Sequence, residues 1–106
     1  MTFEDYFAER LAKLRQNKGV SARDMSLSLG QNANYINSIE NKKMFPSMLV
    51  FFYICEYLEI TPKDFFDDNN VNPKLINDLI EDLRNVNFKI LPHISGLIKE
   101  IIDKKQ

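Results

Sequence analysis

Residues 25–41 read MSLSLGQNANYINSIEN, and the fold is decided by this stretch. Met25 and Leu29 make one apolar stripe at helical spacing, Ile36 and Ile39 make another, and Gly30 lies between them. Glycine reaches positive φ without steric cost, so it allows a tight turn where two short helices meet with almost no linker. The second pattern leaves Asn32, Asn34, Asn37 and Ser38 off its apolar stripe, facing outward.

A short helix braced by its neighbour while offering amides and a hydroxyl to solvent is the sequence form of a helix-turn-helix, whose second helix enters the DNA major groove. There an asparagine amide can pair bidentately with adenine N6 and N7, so Asn34 and Asn37 are candidate base readers. Both are expected inside the helix, where asparagine is mildly unfavourable and stability alone accounts for it poorly. Ser21, Arg23, Lys42 and Lys43 flank the motif as candidate phosphate contacts, which position a helix without reading sequence. No arginine stands between residues 32 and 40, which predicts weak preference for guanine.

Outward from the motif the chain reads as all-α. Thr2 with Asp5 three residues on can cap a first helix running to about Gln16, with Phe3, Phe7, Leu11 and Leu14 inward and Lys18-Gly19 as its end. Ser21 with Asp24 repeats the pattern for the second helix, and Asn32 is placed to cap the third, expected over Asn32–Glu40. Pro46-Ser47 opens a fourth, and Thr61-Pro62 with Asp64 a short fifth. Asp67 to Asn70 reads as a polar connector. Beyond it, Leu75, Ile76, Leu79, Ile80, Leu83 and Val86 recur at helical spacing, as do Ile94, Leu97, Ile98, Ile101 and Ile102. Two amphipathic C-terminal helices follow, with Pro92 in the first turn of the last. The expected domains are 1–68, carrying the motif, and 69–106, a helical appendage.

With 106 residues, 44% of them hydrophobic, the chain has room for one compact domain with a small addition. Net charge is −1, yet residues 10–45 carry +5 while residues 1–9 and 46–106 carry −3 each. Basic charge is thus concentrated around the motif. Glu4, Asp5 and Glu9 stand where a secretory signal needs positive charge, and the apolar run from Met48 to Cys55 is far short of the ~20 residues that span a bilayer. A cytoplasmic protein, nucleoid-associated when bound to DNA, is expected, with no membrane partner. His93 has no second histidine or cysteine near enough to form a recognisable metal site, and Cys55 reads as an inert core thiol. No glycine-rich phosphate loop or nucleophile elbow is present. An enzyme, a cofactor, a metal or an identifiable small-molecule substrate is therefore not expected.

From Arg10 to Phe66 the chain resembles the phage repressor and Cro-like (XRE) helix-turn-helix family. The resemblance rests on Arg10-Leu11, Leu14-Arg15, Lys18-Gly19-Val20-Ser21, Met25, Leu29-Gly30, Tyr35-Ile36, Ile39-Glu40-Asn41, Pro46-Ser47, Ile54, Leu58, Ile60-Thr61 and Phe65-Phe66, in that order and at these separations. It implies a five-helix lambda-repressor-like domain and double-stranded DNA as the partner. Base contacts then fall on Ala33, Asn34 and Ser38, with Asn32 near a phosphate, and Arg15 pairs with Glu40 as a structural ion pair. Ala22 stands where the family often has a phosphate-binding glutamine, Ser26 where it has a small residue, and Lys42 where it commonly has glycine.

In the fourth helix one core face accounts for only half of the apolar residues. Leu49, Val50 and Tyr53 stand where the family is commonly polar, so together with Tyr57 they need a cover. The C-terminal helices, through Leu79, Leu83, Leu97 and Ile101, or a second protomer can supply it, and a homodimer reading a palindromic operator is the expected arrangement. A transcriptional repressor is the leading expectation. The alternative is a protein-interaction module that kept the fold and lost DNA affinity.

Overall fold

A computed structural model of the protein describes residues 1–105 and is helical throughout, without strands among those residues. The helices are α1 (Phe3–Lys18), α2 (Ala22–Ser28), α3 (Tyr35–Glu40), α4 (Met48–Leu58), α5 (Pro62–Phe65), α6 (Pro73–Asn85) and α7 (Leu91–Lys105), with a 3₁₀ turn at Phe88–Ile90. The chain divides into two compact units, Met1–Lys74 and Leu75–Gln106.

Local hydrogen bonds set the helix boundaries of the first unit. Thr2 and Asp5 form a reciprocal capping box on α1, and the helix runs to Lys18, two residues beyond Gln16, with Gly19 at φ 77° as its C-cap. Ser21, Ser47 and Thr61 each accept a backbone N–H three residues on, which opens α2, α4 and α5. Phe3 departs from expectation: it is 87% exposed, because the first residue of α1 extends past the end of the core that Phe7, Leu11 and Leu14 enter.

α1 packs on α3 and α4, and α2 packs on α3. Where α1, α4 and α5 meet, Phe65 is fully buried, with the Phe7 ring at 4.8 Å and the Phe51 ring edge-on at 5.2 Å. Such geometries add about 0.5–1.5 kcal/mol per pair beyond burial. Half of α4 completes this core through Phe51, Ile54, Cys55 and Leu58. Val50 and Tyr57, expected on an outer surface, are instead partly buried against the same core, with Lys18 Nζ 4.8 Å over the Tyr57 ring. Leu49 and Tyr53 remain exposed at 59% and 43%.

Arg10 leaves the basic surface altogether. Only 7% exposed, it donates from Nε to the carbonyl of Phe65 at 2.6 Å and from Nη2 to those of Asp64, Asp67 and Asn70 at 2.8–2.9 Å. This fork gathers carbonyls from the last turn of α5 and from the stretch that follows it, through the planar array of donors that only arginine offers. Asn17 donates to Val71 O and Lys74 pairs with Glu59 at 3.5 Å. Within the first unit the polar stretch after α5 is tied down by Arg10 and Asn17 of α1 and by Glu59, the C-cap of α4.

In the second unit α6 and α7 carry their apolar residues at helical spacing, and Pro92 falls in the first turn of α7 as expected. Leu83 and Ile94 are half-buried, whereas Ile76, Leu79, Ile80, Leu97, Ile98, Ile101 and Ile102 are exposed.

Candidate nucleic-acid interface

The hinge is built by three closures, two between backbone groups and one through a side chain. Gly30 N–H donates to Leu27 O and Gln31 N–H to Ser26 O, both at 3.0 Å, with Gly30 at φ 73°. A Cβ at Gly30 would meet nothing within 4 Å, so its requirement for glycine is conformational rather than steric. Asn32 then forms the third closure, its Oδ1 accepting Asn34 N–H at 3.0 Å.

This side-chain turn shortens the recognition helix. α3 begins at Tyr35, not Asn32, and has six residues; Asn34 is its N-cap rather than an interior position, and its side chain makes no capping bond. Asn32, Ala33 and Asn34 thus belong to the turn. Competition between the asparagine side chain and the helical backbone explains the difference.

Two polar contacts hold α3 in place. Ser26, fully buried in α2, donates to Ala22 O at 2.7 Å and accepts Ile36 N–H at 2.9 Å, which satisfies one of the orphan donors of the first turn of α3. Arg15 meets Glu40 through two bonds, Nε to Oε2 at 2.7 Å and Nη2 to Oε1 at 3.0 Å, and also donates to Val20 O at 2.8 Å. Hydrogen bonding to Glu40 raises the pKa of Arg15 above its ordinary value. A bidentate pair of this kind fixes orientation as well as charge. Ser26→Ala leaves the Ile36 N–H buried and unpaired, and is expected to cost about 1–3 kcal/mol in chemical denaturation.

Tyr35, Ile36 and Ile39 are buried, and burial raises the Tyr35 hydroxyl above its ordinary pKa. Asn34, Asn37 and Asn41 are exposed; Ala33 and Ser38 are half-buried. Ser21, Arg23, Asn32, Lys42 and Lys43 are exposed around the motif, and the Ser21 hydroxyl already accepts Asp24 N–H at 3.0 Å. Lys42 adopts φ 65°, the left-handed conformation that makes glycine common there, and its Nζ lies 2.9 Å from Asp5 Oδ1 on α1. The Lys42 ammonium holds the Asp5 carboxyl below its usual pKa, and Asp5 in turn raises that of Lys42. Leu79, Leu83, Leu97 and Ile101 belong to the second unit.

The roles of Arg10 and Asp5 were not anticipated. A signal existed for Arg10: it lies three residues after Phe7 and four before Leu14, on the buried stripe of α1. For Asp5 there was none, since its capping role already accounted for it. Burial raises the Cys55 thiol to about 11, so it is protonated at neutral pH. Among the described residues no cluster of three or more His, Cys, Asp or Glu could hold a metal, and no helix is long and apolar enough to cross a membrane.

A rigid two-helix element with an exposed amide-bearing edge defines a helix-turn-helix protein. A scan against protein families matches residues 8–71 to the family described as a helix-turn-helix domain, and the chain belongs to that family, of the XRE type. The domain is that of a DNA-binding regulator. Neither the curated proteins nor the solved structures compared with the chain gave a match.

Proposed function

We propose that the protein is a sequence-specific transcriptional repressor that acts by occupying an operator, as a homodimer, in the cytoplasm. The observation that carries this reading is the bracing of α3 by Ser26 and by the Arg15–Glu40 pair, which leaves Asn34 and Asn37 exposed on one edge. In the major groove, Asn34 and Asn37 read adenine, Ser38 supplies a hydroxyl, and Ala33 contacts a thymine methyl. Ser21, Arg23, Asn32, Lys42 and Lys43 hold phosphates.

Dimerisation draws its support from the second unit, where Leu79, Leu97 and Ile101 leave an apolar face exposed. Leu49 and Tyr53 on α4 add to the apolar surface available in the first. Self-association through such faces removes patches that monomeric proteins rarely leave open.

Selection of bound sites from a pool of random duplexes at low salt tests the reading, and an absence of enrichment defeats it. The expected product is an A·T-containing palindrome with half-sites about 34 Å apart. Asn34→Ala is expected to relax the preference at one position per half-site, at a cost of about 1–3 kcal/mol for that base pair, read by competition between matched and substituted duplexes.

A further inference from the structure

Asp5 sits at the third position of α1, and its capping box restrains it: Oδ2 accepts Thr2 N–H at 3.3 Å while the Thr2 hydroxyl accepts Asp5 N–H at 3.1 Å. Its other oxygen, Oδ1, meets Lys42 Nζ at 2.9 Å, immediately beyond α3. Lys42 in turn is placed by the closure of that helix, its N–H donating to Ile39 O at 3.0 Å. An anion is thus held within contact distance of a cation at the end of the recognition helix, in the arrangement a DNA phosphate oxygen adopts toward lysine.

We propose that Asp5 is a determinant of DNA affinity, a carboxylate that occupies Lys42 as a phosphate would and so withholds one cation from the duplex. The inference rests on the DNA-binding reading above. Stability gives the pair little reason to exist: Lys42 is exposed and Asp5 only half-buried, with side-chain exposures of 45% and 33%, and ion pairs this open to solvent contribute little to folding. Binding by Lys42 then requires either displacement of Asp5 or approach of a phosphate to a fixed negative charge, and both weaken the complex. Asp5 thereby reduces the part of the affinity that carries no sequence information, leaving the base contacts of α3 a larger share of discrimination.

The test is a double-mutant cycle on duplex affinity against salt with the full chain. Asp5→Asn keeps a capping oxygen and removes the charge; thermal melting verifies that it folds. It is expected to tighten binding several-fold at low salt and to steepen the slope of log affinity against log salt by about 0.9 per bound site, the contribution of one neutralised phosphate. In a Lys42→Gln background Asp5→Asn is expected to give no gain, because the cation it would free is absent. Glu4→Gln, which removes the same charge one residue away, is expected to give a smaller gain. Equal slopes for wild type and Asp5→Asn, with binding intact, overturn the inference and leave the DNA reading standing. So does an equal gain from Glu4→Gln, which would mark a general charge effect. Absence of duplex binding by wild type and variants alike defeats the DNA reading and this inference with it.

Discussion

Replacing Arg10 with methionine is expected to destabilise the first unit by about 3–5 kcal/mol, because several hydrogen bonds to a charged group, each worth about 1.5–3 kcal/mol, are lost together. The side chain is nearly inaccessible and its Nε and Nη2 serve four carbonyls, on Asp64, Phe65, Asp67 and Asn70. Methionine fills much of the volume and donates nothing, so every one of these carbonyls loses the guanidinium, and only those of Asp64 and Asp67 keep a backbone N–H, from Asp67 and Asn70. For a chain of this length that loss is a large share of a total stability of about 5–15 kcal/mol. It should lower the melting temperature by roughly 15 °C or more. Lysine at the same position restores charge but not the planar fork, and should recover only part of the loss. Equilibrium denaturation followed by circular dichroism decides the matter: an Arg10→Met midpoint within error of wild type would show that the fork is dispensable.

The other large effect concerns assembly. Leu97 and Ile101 are each 59% exposed on α7, four residues apart and therefore on one face. Aspartate at both positions places charge where the proposed interface is apolar. A single species at the 12.4 kDa chain mass is then expected in sedimentation at micromolar concentration, where the wild type runs at twice that mass. Affinity for a palindromic site should fall by about 10²-fold or more, because the second half-site no longer benefits from linkage to the first. The salt slope should be close to halved, since one copy neutralises half the phosphates. A wild type that already sediments at the chain mass contradicts the dimer outright.

How much could be read in advance varies with the range of the interaction involved. The caps at Thr2, Ser21, Ser47 and Thr61 were legible because each bond spans three residues, so residue type at fixed spacing carries the information. Gly30 was legible for the same reason. The start of α3 was not: Asn32 and Asn34 can both cap, and only the observed turn shows that Asn32 bonds the Asn34 backbone. Val50 and Tyr57 looked like candidates for an outer surface because α4 is apolar nearly all round, and helical periodicity cannot divide such a segment into faces. Arg10 was counted with the surface charge, although its place in the stripe of α1 hinted otherwise. Its partners are backbone carbonyls 54–60 residues away, and a carbonyl leaves no mark in residue type. The Asp5–Lys42 contact crosses from α1 to the end of α3 and depended on knowing how α1 lies against α3.

The state of Cys55 has a practical consequence for chemical labelling. It is the sole cysteine, it is 2% exposed, and its thiol is raised to about 11, so at neutral pH alkylating reagents meet almost no thiolate. A cysteine introduced on the surface is then effectively the one reactive thiol in the chain, without mutation of the native residue. Placed at Leu97, it would report through disulfide cross-linking whether two copies meet there; placed at Asn41, it would carry a cleavage reagent to the bases beside the recognition helix.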